Sequence, residues 1–110
     1  MKKEMYYLAA YEGTKSEAER IIRYDNTLMH CLPSVRKALV KERFRVEDDA
    51  EKFNFRNKEI SEIVSLGAER AIKTIKKETS LIKNCDQELE MFYRRLETSK
   101  KNLIDKTKLV

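Results

Sequence analysis

At 110 residues and 13.1 kDa the chain fits one small domain and is too short for a catalytic domain with a regulatory companion. Charged residues make up 39% of it, against 2 Gly, 1 Pro and no Trp. That balance withholds the turn material a sandwich, barrel or doubly wound sheet requires and predicts an all-α fold. The net charge of +5 is spread along the chain: residues 1–25 are neutral, residues 26–57 carry +2 and residues 58–110 carry +3.

In chain order, residues 2–12 read as a short helix stopping at Gly13, a residue type that closes helices because it tolerates positive φ. Thr14-Lys15-Ser16-Glu17 matches a capping box, in which each end of the motif satisfies the other's backbone N–H, and predicts a fresh helix from Lys15. Tyr6, Tyr7 and Tyr11 are expected to dock on the body of the protein. The stripe Ala18, Ile21, Ile22, Leu28, Met29 and Leu32 extends this second helix (residues 15–32) toward Pro33, which disfavours helical geometry at its predecessor. A third helix over 34–54 carries Val35, Ala38, Leu39, Val46, Ala50 and Phe53 inward, with a kink or short break anticipated near Arg45–Asp48. Asn57 is positioned to cap the helix after it.

From Lys58 to Asp105 there is no Pro and a single Gly, Gly67. Positions from Val64 to Leu103 alternate steps of 4 and 3, passing through Ala68, Ala71, Ile75, Glu78, Ile82, Cys85, Leu89, Phe92, Leu96 and Ser99. Ten of these twelve positions are apolar, where a content of 41% would supply about five. The pattern predicts one coiled-coil-like helix over 58–105, roughly 70 Å long, with Gly67 its weakest point and a frayed tail from Lys100. The architecture expected is an elongated helical hairpin or bundle forming a single domain over 1–110. Its two shorter helices cannot cover the whole seam, so Ile82, Cys85, Leu89, Phe92 and Leu96 are assigned to a homodimer interface. Asp25 and Glu78 fall inside apolar stripes, where an unpaired charge is costly, and are read as paired or edge-exposed residues that set register.

Signatures of chemistry are sparse. Cys31 and Cys85 stand 54 positions apart with no CxxC or HxxxH spacing, and His30 is the only histidine. The cysteines are therefore read as free thiols of a cytoplasmic protein, with no metal site and no cofactor. No nucleophile elbow, Walker loop or dinucleotide fingerprint can be assembled from two glycines, so neither enzymatic activity nor a small-molecule substrate is expected. No apolar run approaches the length of a membrane span, and no signal peptide is read at the start.

Two basic stretches remain. Residues 36–45 hold Arg36, Lys37, Lys41, Arg43 and Arg45 against one acid, Glu42, and Arg70, Lys73 and Lys77 form a second stripe at steps of 3 and 4. Either could contact phosphates, but a solvated, ion-paired helix face is the leading reading of both. Tyr93, Arg94 and Arg95 lie off the seam and are candidates for a protein contact. The leading expectation is a non-enzymatic regulatory protein that dimerises through its last helix and binds a larger protein partner as inhibitor or adaptor. The alternative is a dimeric nucleic-acid-binding regulator using Arg36, Lys37, Lys41, Arg43 and Arg45.

Overall fold

The first helix does not stop at Gly13. In the computed structural model, which describes residues 2–108, α1 runs unbroken over Lys3–Tyr24. Its inward face, Tyr7, Ala10, Tyr11, Thr14, Ala18, Ile21 and Ile22, keeps the 3-and-4 spacing straight through the glycine. One continuous buried stripe outweighs the roughly 1 kcal/mol that Gly13 costs within a helix, and the capping box at Thr14 goes unused. The helix ends at Tyr24, well short of Leu32. Its terminator is Asp25, whose carboxylate accepts the backbone N–H groups of Thr27 (2.9 Å) and Leu28 (3.0 Å), the turn geometry short acidic side chains favour. Asp25 thus folds the chain away from α1 rather than sitting unpaired in its stripe.

A single 3-10 turn at Met29–Cys31 leads into α2 (Leu32–Lys52), with Pro33 in its first turn, where a missing N–H is harmless. The helix passes through Arg45–Asp48 without the anticipated break, because Val46 and Ala50 continue the buried face of Leu32, Val35 and Leu39. In the connection after α2, Phe55 returns to the core and packs against Tyr7, with ring centroids 5.4 Å apart. The ammonium of Lys3 holds this loop by donating to the carbonyls of Phe55 (3.2 Å), Arg56 (3.2 Å) and Lys58 (3.0 Å). Asn57 does not cap the next helix, which starts two residues beyond Lys58.

The predicted 58–105 rod is two helices, α3 (Ile60–Thr79) and α4 (Asp86–Lys108), separated by residues 80–85. The chain reverses with Asn84 at φ 65°, a left-handed conformation that asparagine adopts more readily than most residues. The reversal costs about 1–2 kcal/mol of backbone strain and a few helical hydrogen bonds. Burial of Leu89, Phe92 and Leu96 within the same chain returns roughly 1.5–3 kcal/mol for each side chain, so the folded-back arrangement wins. Cys85 is also buried and Ile82 is half-buried against the core. The seam residues assigned to a partner chain are therefore core residues of this one, and the seam that motivated a homodimer is covered from within. Helix α4 continues through Lys100–Lys108, where fraying was expected; Met1, Leu109 and Val110 lie outside the described residues.

The result is an all-α, up-down-up-down four-helix bundle measuring 44 × 28 × 17 Å. Pairs such as Glu12–Arg43 on α1 and α2 and Lys100–Glu69 on α4 and α3 mark the antiparallel neighbours. The parallel helices α1 and α3 form the most closely packed pair, with α2 on one side and α4 on the other. Gly67, expected to be a weak point, is where these two approach. A Cβ built there would lie 2.3 Å from the carbonyl oxygen of Tyr7 and 3.1 Å from Ala10 Cβ. Among the described residues no helix is long and apolar enough to cross a membrane.

Candidate anion-binding groove

Helices α2 and α3 lie antiparallel. Small side chains facing each other, Ala38 on α2 and Thr74 on α3, leave a polar groove of about 530 Å³ between them. Lys41 and Arg45 form the α2 rim, Lys73 and Lys77 form the α3 rim, Arg70 crosses the floor, and Glu42 and Glu78 complete the lining. Five cations face two carboxylates. The antiparallel register thereby joins the two basic stretches that lie some thirty residues apart in the sequence.

Both carboxylates are already engaged. Glu42 accepts Nη2 (2.6 Å) and Nε (3.2 Å) of Arg70 and pairs with Arg45 at 3.4 Å. Glu78 accepts the hydroxyl of Ser34 at the start of α2, so this residue of the former seam ties α3 to α2. Arg70 also donates from Nη1 to Asp49 and to the Tyr7 hydroxyl at 3.1 Å. Partial burial pulls its pKa down, but the hydrogen bonds to Asp49 and Glu42 outweigh that effect and hold the guanidinium above its ordinary value. Burial also raises the Tyr7 phenol, opposed by Arg70. Arg70 is thus a permanently charged strut that fixes α2, α3 and α1 together. Among the described residues Lys41, Lys73 and Lys77 make no ion pair with a carboxylate, and all three are exposed.

The structure divides the predicted basic stretch. Arg36 turns to Glu19 (3.7 Å), and Arg43 turns to Glu12 (2.6 Å) and Glu47 (3.0 Å), so both stitch α2 to α1 on the flank away from the groove. Lys41 and Arg45 stay on the groove, and Lys37 is exposed one turn before Lys41. Sequence reasoning missed Phe44, which is 70% exposed on the outer crest of α2, together with the half-exposed Val40 one turn earlier. The available signal was the helical step itself, which places residues 37, 40, 41 and 44 on one side, away from Val35, Leu39 and Val46.

The second predicted surface is also divided. Tyr93 is half-buried: its hydroxyl hydrogen-bonds that of Thr79, and Lys76 Nζ sits 5.4 Å from its ring centroid. It joins α4 to the end of α3. Arg94 is exposed and paired with Glu90 at 2.7 Å, while Arg95 lines a shallow hollow beside the exposed Met91. Cys31 and Cys85 are free and buried, and burial pushes the Cys31 thiol pKa up. Among the described residues no group of three or more His, Cys, Asp and Glu side chains converges as a metal site would require. An apolar hollow of about 330 Å³ lies between α1, α3 and α4, with Tyr6, Lys106 and Thr107 as its polar lining among the described residues. Comparisons with protein-family models, curated proteins and solved structures find no match, so the groove is read from its own chemistry.

Proposed function

We propose that this chain is a non-enzymatic helical binding protein whose working surface is the α2–α3 groove and whose target is the phosphate backbone of nucleic acid. The observation that carries the reading is that Lys41, Lys73 and Lys77, on both rims of one concavity whose carboxylates are already occupied, have no carboxylate partner among the described residues. A polyanion laid there displaces counterions from lysines that need not first surrender an internal ion pair. Arg70 supplies charge from the floor without moving, because Glu42 and Asp49 hold it.

Titration of a labelled oligonucleotide at increasing salt tests the proposal. Three phosphate contacts predict a log–log slope of about −2 to −3. Joint replacement Lys41→Ala, Lys73→Ala and Lys77→Ala should abolish the interaction and leave the helical content intact. Absence of binding at low salt refutes the proposal.

A second reading, a regulator or adaptor docking on a larger protein, is supported by Met91, 61% exposed beside Arg94 and Arg95 on the outer face of α4. A contact built on that methionine would persist at high salt. Neither reading requires a homodimer.

A further inference from the structure

Resting on the nucleic-acid reading of the groove, we infer that the strand it takes is single, with a base stacked on Phe44. The groove is an interhelical concavity, and packed helices lie only about 8–10 Å apart. The furrow between two touching helices admits one sugar-phosphate backbone, whereas a duplex would have to ride on the crests. The crest of α2 does not favour such an arrangement. One turn past Phe44 it becomes acidic, with Glu47, Asp48 and Glu51 all exposed, and a duplex spanning α2 would bring its phosphates against these carboxylates. A strand held between Lys41 and Arg45 on one rim and Lys73 and Lys77 on the other avoids them.

Phe44 stands where the bases of such a strand would emerge. It lies one turn after Lys41 on the outer crest of α2, beside the α2 rim rather than in the groove lining, and is 70% exposed. No aromatic ring packs against it among the described residues. Sequence-tolerant single-strand recognition combines these two elements, a cationic track for the backbone and an exposed ring for the bases. Val40, 48% exposed one turn away, extends the apolar platform. From Lys37 to Arg45 the helix rises about 12 Å, which limits the footprint to a few nucleotides.

Fluorescence anisotropy with a 5′-labelled thymidine 15-mer, set against a mixed-sequence duplex of equal length at low salt, tests the inference. The single strand should bind more tightly. Phe44→Ala should weaken it roughly ten- to hundredfold without changing the salt slope, and Phe44→Tyr should restore it. The pair Lys73→Ala and Lys77→Ala should instead flatten the slope by about 0.7 per lysine. Because Phe44 lies outside the core, circular dichroism should show all variants folded. Equal or tighter duplex binding, or an unchanged affinity in Phe44→Ala, overturns the single-strand inference and leaves the groove reading standing if the lysine variants still lose affinity. No binding of either nucleic acid removes both readings. A Phe44 effect seen only on protein ligands also overturns the inference.

Discussion

Replacing Gly67 by alanine should destabilise the bundle, although helix propensity alone favours the alanine by about 1 kcal/mol. The added methyl would sit 2.3 Å from the Tyr7 carbonyl oxygen and 3.1 Å from Ala10 Cβ, where ordinary contacts lie near 3.5 Å. The obstacle is backbone and cannot rotate away, so α1 and α3 must separate by about 1 Å. That movement loosens Tyr11, Ala68 and Ala71, all fully buried. Overpacking usually costs 1–3 kcal/mol and somewhat more where backbone must move, giving a cost of about 3–4 kcal/mol and a net loss of about 2–3 kcal/mol after the propensity gain. Against the 5–15 kcal/mol typical of a whole domain, this lowers the melting temperature by roughly 10 °C or more. Urea unfolding tracked at 222 nm measures it, with the midpoint falling at constant slope. Gly13→Ala is the internal control: its methyl would meet only the Leu103 side chain at 4.0 Å and should stabilise by about 0.5–1 kcal/mol. A Gly67→Ala variant as stable as the parent would refute the claim that α1 and α3 meet backbone to backbone there.

The core sets three further outcomes. Thr14 is fully buried and its hydroxyl has no hydrogen-bond partner among the described residues, so Thr14→Val should raise stability by about 1 kcal/mol, measured by the same urea titration. Burial raises the phenol pKa values of Tyr7 and Tyr11 above the ordinary 10.0, and nearby Glu42 adds to the rise at Tyr11. A raised folded-state pKa contributes stability that is complete below pH 10 and is lost as pH rises further, because only the unfolded chain then releases these protons. Alkaline unfolding monitored at 222 nm should therefore coincide with phenolate absorbance from these two rings at 295 nm; early ionisation in the folded state would contradict their burial. Cys31 and Cys85 should react with a disulfide reagent slowly in the native protein and at once in denaturant, and two fast native thiols would contradict their placement.

The candidate site was partly legible. Lys41, Arg45, Lys73 and Lys77 could be singled out as cations on helices, but their convergence depends on the α2–α3 register, which no local pattern encodes. Arg36 and Arg43 looked equivalent to Lys41 along the chain and separated only when α1 supplied Glu19 and Glu12 as partners. Tyr93 looked exposed because its partner, Thr79, lies across a turn that the heptad pattern runs through unmarked. Phe44 was passed over inside a charged stretch although its helical step already set it apart from the core.

By itself the sequence determined the helical class and most of the core: nearly every seam position from Val64 to Leu96 that was read as apolar is buried, although Met29 and Phe53, also read as inward, are exposed. It also determined Asp25 and Glu78 as residues needing polar partners. Only the tertiary structure decided who covers the seam, where the helices end and which cations stay free. Periodicity reports that a face must be hidden, a property of one helix. Whether a neighbouring helix or a second chain hides it depends on the balance between the strain of reversing at Asn84 and the apolar surface that the reversal buries, and that balance exists only once all four helices are packed.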